Sequence, residues 1–308
     1  MRSAFVRALV SEAERDDRIA LLTGDLGFMA LEPFRDRFPD RFFNMGVAEQ
    51  NMVAVATGLA ESGYTPFCYS IVPFAVLRPF EFIRNGPILH GLPVRIVGMG
   101  GGFEYGTAGP THYGIEDVGV MRLLDNMTVI APADAEQAAT VVPMLAEVRG
   151  PVYLRLGKND RLSVPGLNGR FGFGRVQQVR EGSDLVLFAM GSIAPSVVLA
   201  ADKLEARGIS AAVVVIASVS PGPVADIVAL TSIYPMAATI EAHVAAGGIG
   251  SLVAEVIADS GIGCRLLRLG VDRPYGNRGG SEEFLHELHG LSPVRIADRI
   301  AEAFGSGI

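Results

Sequence analysis

Short apolar runs rich in β-branched residues alternate with longer segments of helical period through most of the 308 residues. The runs "IALLTG" (19–24), "TPFCYSI" (65–71), "VRIVGMG" (94–100), "MTVIAPA" (127–133) and "PVYLRLG" (151–157) predict buried strands. Helices fit between them at 2–10, 46–61, 74–90, 115–123 and 134–148. The stretch "GKNDRLSVPGLNGRFGFG" (157–174) is rich in Gly, Asn and charge without helical period, and predicts a connector. The alternation then resumes, with strands at 184–191, 211–218, 237–243 and 264–270 and helices near 193–207, 221–231, 248–260 and 281–288. A last helix opens at "SPVRIADRIAEAF", with Ser292 as N-cap and Pro293 in the first turn. This alternation is the signature of an α/β protein. It predicts two parallel-sheet domains, 1–160 and 179–308, joined by a linker at 161–178.

The helix expected at 46–61 carries an anomaly. In "NMGVAEQNMVAVATGLAESG" (44–63) the one charge between Arg41 and Glu61 is Glu49. Val47, Ala48, Met52, Val53, Ala54, Val55, Ala56 and Leu59 leave no broad polar face. A helix apolar on all sides belongs inside a protein or at a tight interface. A carboxylate there costs several kcal/mol unless it is paired, or protonated through a raised pKa.

Composition narrows the class. The chain is 49% hydrophobic and 19% charged, with 37 glycines and no tryptophan, in keeping with a compact α/β protein. A net charge of −7 without any Lys/Arg run argues against nucleic acid as a partner. Cys68 and Cys264 stand far apart in apolar settings, outside any CxxC or Cys/His cluster, and read as two buried thiols. The N-terminus reads as an amphipathic helix rather than a signal peptide, and no apolar run reaches the ~18 residues of a membrane span. A soluble, cytoplasmic protein is expected, with no membrane partner.

Nucleotide signatures are weak. "GGIGSLV" (247–253) follows a strand and opens a helix but lacks the third glycine of a dinucleotide fingerprint, and reads as a tight turn. Neither a GxxxxGK[ST] loop nor a GxSxG elbow is present. The loop "GMGGGFEYGTAGPTHYGIED" (98–117) says more, because it leaves a predicted strand end, where open parallel sheets bind ligands. It carries three consecutive glycines and His112, ahead of a helix with Glu116 and Asp117 in its first turn. In "YSIVPFAVLRPFEFIRNG" (69–86), Phe74, Phe80 and Phe82 are either core residues or the wall of a slot for a flat ring.

Glu49 in "GVAEQNM", the aromatic "PFAVLRPFEFIRN", the "GPTH" loop and "NMTVIAPAD" (126–134) stand in the order and spacing of transketolase-like thiamine-diphosphate enzymes. The whole chain resembles the C-terminal half of a transketolase, a pyrimidine-binding domain followed by the C-terminal domain, and "EAHVAAGGIGSLVAEV" adds to the likeness. The resemblance implies that Glu49 hydrogen-bonds a ring nitrogen of the cofactor's aminopyrimidine, favouring the imino tautomer that deprotonates the thiazolium. A raised pKa suits that task. It implies further that Phe74 stacks on the pyrimidine, that Phe80 lines the same slot, and that Asp25-Leu26 in "TGDLG" lies near the cofactor. His112 is implied to contact a substrate hydroxyl or oxyanion. Arg2 and Arg155 are implied to clamp a substrate phosphate, the alternative being solvated surface charges.

Two departures qualify the likeness. The family's Gly-Asp-Gly step for diphosphate and magnesium is missing, and the chain begins directly on the pyrimidine-binding domain. A separate N-terminal subunit is therefore expected to hold the diphosphate and Mg, as the second half of an α2β2 enzyme inactive without it; no metal site is expected in this chain. The substrate loop reads "MGG" (99–101) and "TA" (107–108) where the usual transketolases have "THD" and "ED", so a histidine becomes Gly100 and an aspartate Ala108. Each lost polar contact is worth ~1–3 kcal/mol. A different ketose donor is then expected, or an acceptor such as a carrier-protein thiol or an unusual aldehyde. Two alternatives stay open: a 2-oxo acid dehydrogenase or decarboxylase β subunit or a deoxyxylulose-phosphate-synthase-like enzyme acting on a 2-oxo acid, and a non-catalytic binding protein of the same fold.

Overall fold

The computed structural model describes residues 1–272 and 278–306. The expected C-terminal range 179–308 thus includes residues 273–277 and 307–308, which lie outside the described residues. The protein is α/β with two mostly parallel sheets. The first is built from β1 (Ile19–Thr23), β2 (Phe42–Asn44), β3 (Thr65–Ile71), β4 (Arg95–Met99), β5 (Thr128–Ile130) and β6 (Val152–Leu156). The second holds β7 (Gln177–Arg180), β8 (Leu185–Met190) and β9 (Ala211–Val215), then β11 (Met236–Val244) and β12 (Arg265–Val271). Between β9 and β11 the chain returns to the first sheet as β10 (Ser218–Ser220), antiparallel to β5. The strand orders are β10-β5-β6-β4-β3-β1-β2 and β12-β11-β8-β9-β7. The nine expected strands all form; β2, β7 and β10 are additional and only three or four residues long, too short to leave an apolar period.

Twelve helices occur among the described residues. In the first half they are α1 (Arg2–Ala13), α2 (Glu32–Arg37), α3 (Glu49–Glu61), α4 (Val72–Val76), α5 (Phe80–Ile83), α6 (Asp117–Arg122) and α7 (Ala135–Met144). In the second they are α8 (Ala194–Glu205), α9 (Val224–Ile233), α10 (Ile249–Asp259), α11 (Glu282–Leu288) and α12 (Pro293–Gly305). Ser292 caps α12 by accepting from the Arg295 N–H at 3.4 Å, with Pro293 in the first turn as expected. None of these helices is long and apolar enough to cross a membrane.

Each inner strand of the first sheet is buried on both faces. Leu22, Cys68, Ile96 and Tyr153 point to one face, while Leu21, Phe67, Tyr69, Val97 and Leu154 point to the other, against α1 and α7. The first face shares one continuous core with Val186, Phe188 and Val214 of the second sheet. The two sheets therefore sit against one another through the helices between them. Both cysteines are free and buried, as expected.

One expected helix is corrected. The segment 74–90 is not one helix: α4 ends at Val76, α5 spans Phe80–Ile83, and Arg84–Ile88 forms a π turn containing Pro87. Pro79 explains the first break, since it offers no N–H and pushes the preceding residue away from helical backbone. Helix α3 buries one face: Glu49, Met52, Val53, Ala56 and Ala60 face the core, while Val55 is 36% exposed and Val47, ahead of the helix, 73%.

Candidate functional site

In the first sheet β1 leads outward to β2, whereas β3 leads the other way to β4, so the strand order reverses between β1 and β3. That crevice, beyond the carboxyl ends of the strands, is where open α/β sheets bind ligands. Glu49 stands in it. The residue opens α3, and its side chain is 1% exposed. Ser70, from the end of β3, donates to its Oε1 at 3.1 Å. Gly24, just past β1, lies so close that a Cβ there would stand 3.1 Å from the same oxygen.

Of the two ways to accommodate a buried acid, the structure shows pairing. The Arg78 guanidinium donates through NH1 to Glu49 Oε2. The same guanidinium lies over the Phe74 ring, with Cζ 4.3 Å from the centroid. Phe74 in turn meets the His112 ring edge-on, centroids 5.0 Å apart at 72°. Glu49, Arg78, Phe74 and His112 thus form one contiguous row, and the fold brings the three residues singled out by sequence together. Asp25 and Leu26 follow Gly24 at the rim of this crevice. Asn44 links to Asp25, donating from Nδ2 to Oδ1 at 2.8 Å, and the Thr23 hydroxyl donates to the Leu26 carbonyl at 2.9 Å. Asp25 has a φ of 57°, held by that Asn44 bridge.

The other aromatics of the segment disperse. Phe80 is half-buried and packs on the core beneath α3, taking no part in the Phe74–His112 contact. Phe82 is 42% exposed and lines a separate cavity of about 410 Å³ with Ala54, Thr57, Glu81, Asn85, Gly86 and His90.

Arg155 is not the solvated surface charge that was its alternative reading. It is buried, with Nε donating to Asp117 Oδ2 at 2.9 Å and Nη2 donating to the carbonyls of Gly114 at 2.7 Å and Ala242 at 2.9 Å. These two nitrogens tie the first sheet to β11. The same Asp117 oxygen accepts from the Tyr153 hydroxyl at 2.5 Å. Arg2 is half-buried with a buried Nε that has no hydrogen-bond partner. Burial raises the Tyr105 phenol above its ordinary value, and the nearby Arg2 charge opposes that rise.

Tyr105 also bears on the substrate loop. Gly100 has a φ of 79°, and a Cβ there would collide with the Tyr105 ring at 2.2 Å. The tyrosine thus fills the space that a side chain at position 100 would need.

Sequence reasoning missed Arg78, Ser70 and Glu241. Arg78 left a faint signal, a cation inside an aromatic stretch; Glu241 left another, an acid within a strand. The Glu241 carboxylate accepts the N–H groups of Ile249 and Gly250 at 2.8 Å each, at the start of α10. A Cβ on Gly248 would stand 1.8 Å from it, so the glycine turn there cradles this carboxylate. Burial pushes Glu241 up to about 7, against the pull of the two amides. The expectation of a tight turn at 247–253 thus gains its physical reason.

The protein is thus an α/β protein with a buried acid, an aromatic ring and a histidine at the reversal point of a mostly parallel sheet, where open α/β sheets bind ligands. Comparison with known proteins makes this particular. Residues 1–161 match the family model of the transketolase pyrimidine binding domain, and residues 174–296 that of the transketolase C-terminal domain. The chain belongs to the transketolase family. It is 36% identical over 305 residues to a putative transketolase C-terminal section of Methanocaldococcus jannaschii, covering 98% of this chain and 95% of that one. It is 33% identical to a 6-deoxy-6-sulfo-D-fructose transketolase subunit of a Clostridium species, covering 98% and 94%. Among solved structures it superposes with a TM-score of 0.88 on a split gene transketolase, an inactive β4 tetramer, at 36% identity over 99% of this chain and 97% of that one.

Proposed function

We propose that this chain is the C-terminal-type subunit of a two-component, thiamine-diphosphate-dependent transketolase that moves a two-carbon ketol unit. The observation that carries the reading is the buried Glu49 carboxylate at the sheet's reversal point, in one row with Phe74 and His112. The residues fit the cofactor's aminopyrimidine. Glu49 is the buried hydrogen-bonding acid, Ser70 orients its second oxygen, Gly24 leaves the carboxylate uncovered on the β1 side, and Phe74 offers a ring face. When bound, the cofactor supplies a carbon nucleophile that cleaves a ketose beside its carbonyl. Glu49 holds a proton relationship with the pyrimidine nitrogen inside a site closed to water, where such a bond is strong. His112 donates toward the substrate hydroxyl or developing oxyanion. Asp25 and Leu26 shape the rim, and Phe80 supports the slot from the core side. Arg2 is the anion ligand that remains for a substrate phosphate.

A separate subunit supplies the diphosphate and Mg site in this reading, in an α2β2 assembly. Two of the relatives are themselves a C-terminal section and a subunit of nearly this chain's length, which supports it. The donor is a ketose other than those of the usual transketolases, because Gly100 and Ala108 remove two polar contacts and Tyr105 fills one of the vacated spaces.

Calorimetric titration of thiamine diphosphate with magnesium tests the assembly, first on this chain and then with the partner subunit. Binding only in the mixture is expected; tight binding by the chain alone would overturn the split site. Glu49→Gln should leave folding and association intact yet lower turnover by ~10²–10⁴. Near-normal turnover in that variant would remove the assignment.

A further inference from the structure

Arg78 occupies two surfaces at once, the Glu49 carboxylate and the face of the Phe74 ring. These are the surfaces that the function proposed above gives to an aminopyrimidine. A guanidinium is planar, stacks on rings and donates N–H bonds in its plane, so it imitates an aminopyrimidine closely. The two groups compete for the site, because the guanidinium already takes Glu49 Oε2 and lies over the Phe74 ring.

We propose that Arg78 is a resident stand-in for the cofactor's pyrimidine ring, and that its side chain must leave Glu49 and Phe74 for the cofactor to enter. The inference rests on the cofactor reading of Glu49 and Phe74.

The way Arg78 is held suits a group that moves. Its side chain is 32% exposed while that of Glu49 is 1%, so the arginine has a path to solvent that the acid lacks. Glu49 is the one hydrogen-bond partner of its guanidinium among the described residues. The structural arginines differ: Arg155 is held by Asp117 and two carbonyls, and Arg95 by the carbonyls of Gly150, Leu145 and Val148. Arg78 also lies in the turn between α4 and α5, ahead of Pro79, rather than inside a helix. When it leaves, Glu49 keeps the Ser70 hydroxyl. In its place on Glu49 and Phe74, Arg78 compensates the buried charge and covers the ring. The acid therefore changes partner, from a permanent cation to a neutral heterocycle, at the moment of loading. A site that must first release its own occupant shows a weakened apparent affinity.

The test is calorimetric titration of thiamine diphosphate and magnesium into the assembled two-subunit protein, with melting curves as a check on folding. Arg78→Met keeps the stem and removes both the charge and the flat head. It is expected to bind the cofactor about tenfold more tightly than the wild type. Arg78→Lys, which keeps a cation for Glu49 but no planar group on Phe74, is expected to gain about threefold and serves if the methionine variant does not fold. In a Glu49→Gln background, where no ion pair remains to be broken, Arg78→Met should gain only the about threefold that comes from uncovering Phe74. Unchanged or weaker binding by both folded Arg78 variants would overturn the inference. If Glu49→Gln impairs binding or turnover while the Arg78 variants show no gain, the stand-in fails and the cofactor reading survives. If Glu49→Gln changes neither, the cofactor reading itself has failed.

Discussion

Burial sorts the arginines of this chain into two kinds, and the difference is one of partners. Arg155 is enclosed and shares Asp117 with Tyr153, so removing its charge would leave a carboxylate that is 1% exposed without its cation. Breaking such a pair from one side costs ~3–5 kcal/mol. Arg155→Met should therefore lower the unfolding free energy by that order, as read from urea denaturation. A loss below ~1 kcal/mol would show that Asp117 finds another partner or takes up a proton. Nothing in "YLRLG" distinguishes an anion ligand from an internal tie, because the deciding fact is the position of Asp117 and Ala242, 38 and 87 residues away. Glu49 was legible for the opposite reason: its neighbours in sequence are themselves the apolar wall that makes a charge conspicuous. His112 and Phe74 were legible as ring and imidazole, but their 5.0 Å contact belongs to the fold. Arg78 was overlooked because a lone arginine before a proline carries no period and no motif.

Strands were read closely and helices less so. Five-residue buried strands announce themselves by their density of Val, Ile and Leu, whereas the expected helix 74–90 is broken at Pro79, which offers no donor, and passes into a π turn around Pro87. The junction between the two sheets was not legible at all, since it is made of polar contacts distant in sequence. Gly119 donates to His243 Nε2 at 3.2 Å, and the Arg122 guanidinium reaches the Gly247 carbonyl at 2.8 Å. The Phe103 ring packs between His286 and His289 of the segment at α11. Burial lowers His243 below the ordinary imidazole range and takes His286 down to about 4. A histidine whose folded-state value is depressed supports folding above its unfolded value and withdraws that support as pH falls. The contribution of His286 should accordingly fall between about pH 6.5 and about 4, while the raised Glu282, at about 8, and Glu241, at about 7, act in the opposite sense as they protonate. Thermal melts should show His286→Leu losing less stability, or gaining more, than the wild type on going from about pH 6.5 to about 4. An unchanged slope in that variant would place the sensitivity elsewhere.

The molecule presents apolar outer surface at and just ahead of α3. Val47 and Val55 are exposed there, and Phe82 and Ala54 line the adjoining cavity of about 410 Å³. Apolar surface of this kind marks an interaction site. In the two-subunit reading it is covered by the partner, so Val55→Lys together with Phe82→Ser should weaken assembly in sedimentation velocity. The melting midpoint of the chain itself should move little, surface changes being worth about ±0.5 kcal/mol. Undiminished assembly would mean that the partner sits on another face. A different consequence follows from β10. Because residues 218–220 pair with β5, the first sheet is finished by a strand lying beyond most of the second sheet's early elements. On the ribosome the N-terminal half cannot close its own edge when residue 161 emerges; it waits, with β5 open, for some sixty further residues. A gene cut at the family boundary would release a half whose exposed strand invites pairing with its own copies. The two domains are woven together at this strand, so a cut between them would part β5 from the strand that covers its edge.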